Sequence, residues 1–346
     1  MNFTERLLIW YTKNKRDLPW RNTTNPYYIW LSEIILQQTR VEQGKPYYEA
    51  FTKKFPTLKD LATANEDAVL KLWQGLGYYS RARNLHAAAK HIFYNLNNTF
   101  PKHYSQIIEL KGIGPYTAAA IASFAFKEPI AVVDGNVFRV LSRFFGIYND
   151  TALSKNRAVF QNLANELISK QHPDLFNHAI MDFGATVCLP INPKCETCVY
   201  NKNCYAYLKN ETAVLPVKTK KITVKNRYFH YLLVQQNNKI AIQQRTKKDI
   251  WQHLYELPLI ETLINDEGSI HDQLQTLYPS SFIKKINQTA IKHKLSHQQL
   301  HINFYSIETK NTIENLNMVA TNSLENYAYP IVIWNFLKDF FKLEKN

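Results

Sequence analysis

Residues 110–118 read Leu-Lys-Gly-Ile-Gly-Pro-Tyr-Thr-Ala, and the fold is decided by how this stretch is understood. Gly112 and Gly114 let the backbone turn tightly and approach another surface, and the helix that follows offers free N–H groups and the positive end of its dipole. Those are the means by which a chain holds a phosphate without reading a base. An ordinary turn between two packed helices has the same composition, so the stretch must be weighed with its neighbours. Twenty residues beyond Gly114 comes Ala131-Val132-Val133-Asp134-Gly135-Asn136-Val137, followed by a helical pattern through Phe145. Aspartate is a favoured residue at a helix start, and the backbone donors there would also hold its carboxylate ionised.

A second acid stands upstream, in Trp30-Leu31-Ser32-Glu33-Ile34-Ile35-Leu36-Gln37-Gln38-Thr39. Glu33 is alone in an apolar helical run. On a surface helix it would face solvent; buried, it would lose its charge more readily, its pKa would rise, and it would become a proton donor. An acid of raised pKa paired with an ionised carboxylate is what cleavage of a glycosidic bond requires.

All four cysteines of the chain fall within seventeen residues, at Cys188, Cys195, Cys198 and Cys204. Four soft thiolates on one loop can close around zinc or ligate an iron–sulfur cubane. Structural zinc sites pair two units of C-x2–4-C, whereas the intervals here are six, two and five, which favours a single [4Fe-4S] cluster. Lys194 and Lys202 in the same loop are available to phosphates.

The chain has 346 residues, longer than one core usually grows, so two domains are expected. With 45% hydrophobic residues it has ample material to bury, and its longest apolar runs fall short of the ~20 residues that cross a bilayer. The N-terminus lacks the features of a signal peptide, which implies a reducing compartment: cytoplasmic, nucleoid-associated if bacterial. The formal charge is +14, distributed as +8 over residues 1–208, +4 over 209–226 and +2 over 227–346, so a polyanion is the expected partner of the first domain. Residues 1–208 read as helical: Leu85, Ala89, Ile92, Phe93 and Leu96 form an amphipathic stripe, and Thr63 with Glu66 has the form of a capping box. The lysine-rich stretch 209–226 reads as an exposed linker. From Arg227 the period changes to alternation, with Gln236-Asn237-Asn238 before a second short run from Ile240 to Ile242, a β-hairpin opening an α+β domain over 227–346.

Taken together, the cysteine spacing, the hairpin of form L-x-G-[IV]-G-x-x-T-A, and the runs Ser-Glu-x-x-Leu-Gln-Gln-Thr (32–39) and Gly-Leu-Gly-Tyr-Tyr-Ser-Arg-Ala-Arg-Asn (75–84) resemble the MutY-type adenine glycosylases of the helix-hairpin-helix, iron–sulfur DNA glycosylase superfamily. The resemblance implies an all-α glycosylase domain with a cluster loop at 188–204, and a duplex carrying adenine opposite 8-oxoguanine or guanine as the substrate of a monomeric enzyme. It assigns Glu33 to protonation of the adenine and Asp134 to stabilisation of the sugar cation, with Tyr116 and Asn136 assisting by hydrogen bonds. Gly112 and Gly114 would meet the DNA backbone. Gln38 and Tyr78 would wedge into the base stack, Thr39 and Leu76 would meet the opposite base, and Arg21 would line the adenine pocket. Where related lyases carry a Schiff-base lysine, this chain has Tyr116, which implies a monofunctional glycosylase or one with weak lyase activity.

The same resemblance makes 227–346 a Nudix-like module. A Nudix hydrolase needs a run of metal-binding glutamates, and no Glu-Glu pair occurs there, so it reads as non-hydrolytic. Ser296 and His297 match the loop that reads 8-oxoguanine in relatives, while Leu295 stands where they have an aromatic. Two other readings remain open: a helix-hairpin-helix glycosylase with another base preference, and a non-catalytic iron–sulfur DNA-binding protein, against which the presence of both Glu33 and Asp134 weighs.

Overall fold

The computed structural model describes residues 2–219, 223–264, 267–279, 281–308 and 316–343. The chain forms two compact units that do not follow a single cut: residues 1–63 with 84–220, and residues 64–83 with 221–346. The crossing at 220 falls inside the stretch 209–226, whose residues 220–222 lie outside those described. The excursion of 64–83 into the second unit has no counterpart in the sequence reading.

In chain order the helices are α1 (Phe3–Asn14), α2 (Pro26–Leu36), α3 (Val41–Lys54), α4 (Leu58–Thr63), α5 (Glu66–Leu72), α6 (Ser80–Asn95), α7 (Tyr104–Ile107), α8 (Pro115–Phe126), α9 (Gly135–Phe145), α10 (Arg157–Leu167), α11 (Pro173–Thr186) and α12 (Tyr205–Leu208). The helix expected from the stripe at Leu85–Leu96 is α6. The expected capping box is not formed: Thr63 ends α4, and Asn65 caps α5, its side chain accepting from the Asp67 N–H at 2.9 Å. Asparagine one residue before Glu66 is the better-placed acceptor.

In the first unit α2 packs on α8, and α9 and α1 both pack on α11. Leu7, Val137, Leu141, Phe160, Phe176 and Ile180 anchor one buried cluster. Eight of the eleven residues of α2 are buried, Glu33 among them, because α2 is covered on more than one side. The expected exposed linker is also corrected. Leu215 is 1% exposed, the Arg143 guanidinium donates to the carbonyls of Thr212 (2.6 Å) and Leu215 (2.9 Å), and the Thr151 N–H donates to the Val217 carbonyl (3.0 Å). A few apolar residues among the lysines suffice to dock 211–217 on the helical unit.

The second unit contains β1 (Lys225–Gln236), β2 (Lys239–Gln244), β3 (Tyr255–Glu256), β4 (Leu259–Thr262), α13 (Glu267–Leu277), β5 (Phe282–Lys285), β6 (Ile291–Lys294), β7 (Gln298–Glu308), β8 (Asn317–Ala320) and α14 (Ile331–Phe341). The mixed sheet runs β3-β2-β1-β7-β5, with β4 also on β1, β6 on β7 and β8 on β2. The hairpin foreseen from the sequence is β1–β2, in register Gln236↔Lys239. Its alternation is imperfect because β1 is central: it pairs in parallel with β7 and is buried on both faces from Phe229 to Val234. Ile270 and Leu274 of α13 cover the face carrying Leu232 and Tyr305, and Phe336 of α14 stacks on Phe304 of the other face at 3.7 Å.

Candidate active site and cluster loop

The hairpin forms as its residues dictate. Gly112 has φ +79°, and a Cβ there would stand 2.5 Å from the Cβ of Asn84, so both backbone and space require glycine. Gly114 begins α8 in open space, its carbonyl accepting from the Ala118 N–H at 2.9 Å. Pro115 and Tyr116 are the first two residues of α8, which places the tyrosine against α2. The Gln37 amide donates to the Thr117 hydroxyl at 3.1 Å, fixing the end of α2 to the start of α8.

Glu33 is 8% exposed and hydrogen-bonded by the Tyr116 hydroxyl. Burial pushes its carboxyl up to about 7, with Asp134 pushing the same way and Tyr116 and Arg21 opposing. Asp134 caps α9. Its Oδ1 accepts from the N–H groups of Asn136 (2.9 Å) and Val137 (2.8 Å), and its Oδ2 accepts from the Asn136 side chain (2.8 Å). The cap expected at Asp134 is formed. These donors favour the charged form, as expected of the cap, while burial works against them and raises the carboxyl from its ordinary value. Asp134 keeps three donors and partial contact with solvent, whereas Glu33 has the Tyr116 hydroxyl and almost no exposure. Of the two, Asp134 is the better supported as an anion.

Three features of the surroundings escaped the sequence reading. Arg21, expected in the adenine pocket, has a buried ionic partner: its side chain is 8% exposed and grips Asp182 with both terminal nitrogens, at 2.6 and 2.7 Å, while Arg16 holds the same carboxylate at 2.7 Å. His178, stacked on Phe124 at 3.9 Å, is kept neutral by burial and by the charge of Arg21, which lower it to about 3. Arg139 joins the site to the cysteine loop, donating to the side-chain oxygen of Asn136 (2.8 Å) and to the carbonyls of Gly184 (2.7 Å) and Cys188 (2.6 Å). Apart from the Asn136 contact, these are pairings across tens to more than a hundred residues, and no local pattern announces them.

Cys188, Cys195, Cys198 and Cys204 carry no disulfide and together line a cavity of about 30 Å³ with Val140, Phe144, Phe183 and Tyr200. Burial raises the thiols of Cys195, Cys198 and Cys204, that of Cys198 to about 11. Arg143 approaches the Cys188 sulfur at 3.5 Å, and the Tyr200 N–H donates to the Cys198 sulfur at 3.3 Å. Among the described residues, no three His, Cys, Asp or Glu side chains are grouped as a site for a single metal ion.

Gln38 is exposed just beyond α2 with φ +57°, and Thr39 is half-buried beside it. Leu76 and Tyr78 belong to the second unit, where Leu76 is buried and Tyr78 is 49% exposed with φ +48°. There the Tyr78 hydroxyl meets the hydroxyl of Ser296. Ser296 and His297 are exposed in the turn between β6 and β7, and with Leu295, Tyr78, Trp251 and Lys294 they line a groove of about 450 Å³. The predicted residues thus assemble as two sets, Glu33–Tyr116–Asp134–Asn136 in the first unit and Leu76–Tyr78–Ser296–His297 in the second.

Comparison with known proteins bears on both units. The HhH-GPD superfamily base excision DNA repair protein family matches residues 31–166, and the NUDIX domain family matches 230–339. The structure is similar to that of a thermostable thymine-DNA glycosylase, with TM-score 0.56 and 33% identity, over 60% of this chain and 95% of that one. A trapped endonuclease III–DNA covalent intermediate, at 20% identity and TM-score 0.53 over 60% of this chain and 94% of that one, shares the fold. The adenine DNA glycosylase of Mus musculus is 42% identical over 214 residues, 59% of this chain and 42% of that one. That of Buchnera aphidicola subsp. Baizongia pistaciae is 38% identical over 306 residues, 87% of this chain and 84% of that one. With helical and Nudix-like units both matched and that identity sustained over most of its length, the chain belongs to the adenine DNA glycosylase family of base excision repair, hydrolases that act on N-glycosyl bonds.

Proposed function

We propose that the protein removes adenine mispaired with 8-oxoguanine or guanine by acid-assisted hydrolysis, leaving an abasic site. The observation that carries this reading is the unequal pair of carboxyls: Glu33, buried and near pKa 7, beside Asp134, held by three donors. At neutral pH a large fraction of Glu33 carries a proton, which it gives to a ring nitrogen of the extruded adenine. The C1′–N9 electron pair then leaves with the base, which departs as neutral adenine. The Asp134 carboxylate stabilises the positive charge that develops on the sugar, with Asn136 fixing its orientation. Water adds at C1′ and gives its proton to the Glu33 carboxylate left by the first step, which restores the acid. Tyr116 donates to Glu33 and has no amine to form a Schiff base, so release of the base is not coupled to strand cleavage.

The target must be extruded at a cost of a few kcal/mol. Gln38 and Tyr78 fit the wedge role because each stands exposed in left-handed backbone, a conformation that holds a side chain out at an energetic cost. Ser296 and His297, on the groove shared with Tyr78, are suited to meet the orphaned base. Basic surface supplies DNA affinity.

The four cysteines fit a [4Fe-4S] cluster: they are free of disulfides, line one cavity with apolar walls, and stand where Arg143 and a backbone N–H would stabilise sulfur charge. The cluster would order the 188–204 loop and contribute no atom to the reaction. Incubation with duplexes carrying A opposite 8-oxoguanine, A opposite G and T opposite G, followed by alkali, tests the proposal. Strand scission is expected for the first two, strongest with 8-oxoguanine; scission confined to T opposite G would replace this reading with a thymine glycosylase.

A further inference from the structure

The turn that carries Tyr78 is strained and is not self-sufficient. Gly75, Gly77 and Tyr78 all lie in left-handed backbone, at φ +102°, +73° and +48°. Glycine adopts this freely, but an aromatic residue does so at a cost and persists there only when its surroundings dictate it. Within the turn, the Trp73 indole N–H donates to the Gly77 carbonyl at 3.0 Å, and Arg81 donates to the carbonyls of Leu76 and Gly77 at 3.3 and 3.2 Å.

The rest of the restraint comes from residues far along the chain in the same compact unit. On the α5 side, the Lys71 ammonium donates to the Tyr327 carbonyl at 3.3 Å and lies 4.4 Å over the Trp334 ring, and Glu66 pairs with His253 at 2.6 Å. Directly behind the turn, the Gln74 side chain accepts from the Tyr329 N–H at 3.4 Å. On the α6 side, Arg83 donates to the Gln252 carbonyl at 2.6 Å and to its side-chain oxygen at 3.3 Å. The loop that receives Arg83 is itself built to hold its shape: Trp251 and His253 are left-handed, at φ +59° and +68°, and Arg245 braces it through Asp249 at 2.9 Å and the Ile250 carbonyl at 3.1 Å. None of these groups belongs to the carboxyl pair.

We propose that the C-terminal unit acts on the reaction mechanically as well as by reading the opposite base, with Lys71, Arg83 and Gln252 as positioning residues that hold the 75–78 turn in its strained shape. This rests on the reading of Tyr78 as the wedge. Without the fastenings the turn relaxes to ordinary backbone, the Tyr78 ring swings away, and extrusion of the target becomes less favourable while the carboxyl pair is untouched.

The experiment uses the full chain and a duplex with 2-aminopurine in place of the target adenine opposite 8-oxoguanine, whose fluorescence rises on unstacking. Lys71→Ala with Arg83→Ala is expected to lower the extruded population at saturating protein about fivefold, as loss of two hydrogen-bonded contacts would. Arg83→Lys, which keeps a donor for the Gln252 carbonyl, should recover most of it. The Tyr78→Ala variant should show a defect of its own, and in that background the Lys71 and Arg83 changes should add nothing further. If Tyr78→Ala leaves extrusion unchanged, the wedge reading fails. If Tyr78→Ala impairs extrusion while the Lys71–Arg83 pair does not, or adds in full on top of it, the positioning proposal fails and the wedge stands. Should the double variant fold poorly, Arg83→Ala alone is read by the same criteria.

Discussion

Replacing Glu33 with Gln should stabilise the protein above neutral pH while it destroys catalysis. Burial moves this carboxyl from its ordinary 4.5 to about 7. Because the folded value lies above the unfolded one, its contribution to stability is fully present below pH 4.5 and is lost as pH rises through about 7. At ~1.4 kcal/mol for each pH unit between those two values, ionisation costs the native state about 3 kcal/mol once pH exceeds 7. Glutamine fills nearly the same volume, keeps an oxygen for the Tyr116 hydroxyl and does not titrate. Urea unfolding of the wild type and Glu33→Gln at pH 5 and pH 8.5 reads the difference. The advantage of the variant should be small at pH 5 and should widen by about 2 kcal/mol or more at pH 8.5. Stability curves that stay parallel across this range would refute the raised carboxyl, and with it the reason for calling Glu33 an acid.

Asp134→Asn is expected to lose at least ~100-fold in single-turnover adenine release with DNA affinity retained, since it removes the charge opposite the developing cation; retention of a tenth of wild-type activity would contradict that role. Purified protein should be brown, absorb near 400 nm and hold about four irons per chain, with Cys198→Ser lowering soluble yield; stoichiometric zinc without sulfide would refute the cluster. Gly112→Ala should destabilise the first unit by at least ~2 kcal/mol, measured by urea unfolding, because it combines a φ of +79° with a methyl 2.5 Å from the Asn84 Cβ. Ser296→Ala with His297→Ala should reduce the preference for 8-oxoguanine over guanine by roughly 1–3 kcal/mol, from single-turnover rates and dissociation constants on the two duplexes; equal weakening on both would mean the pair does not read the lesion. Deleting the whole C-terminal unit is a less clean test, because it also strips residues 64–83 of their partners.

The elements legible in the sequence are those whose chemistry is local. The cysteine intervals, the Gly112–Gly114 turn, the cap at Asp134 and the Asn237-Asn238 hairpin each need only neighbours along the chain. Glu33 was legible as a candidate because an acid in an apolar helical run must be either exposed or unusual, and the packing of α2 decided for burial. What was hidden depends on distant partners. Residues 64–83 are continuous with the first domain in sequence, and partners some 170 to 260 residues on, Tyr327, Trp334 and Gln252 among them, draw them into the second unit. The Arg21–Asp182 pair and the Arg139 bridge are of the same kind. The linker was misread because its lysines outweigh Leu215 in composition, although one buried leucine and two carbonyls on Arg143 fix its course.

The central claim is that a buried, protonated Glu33 drives departure of adenine, and the pH dependence of the single-turnover rate constant on a duplex with A opposite 8-oxoguanine tests it most directly. The rate should be near its maximum below about pH 6 and fall about tenfold per unit above pH 7, as a single required proton is lost. Constant or rising rates between pH 6 and pH 9, with Glu33→Gln still active, would contradict the account.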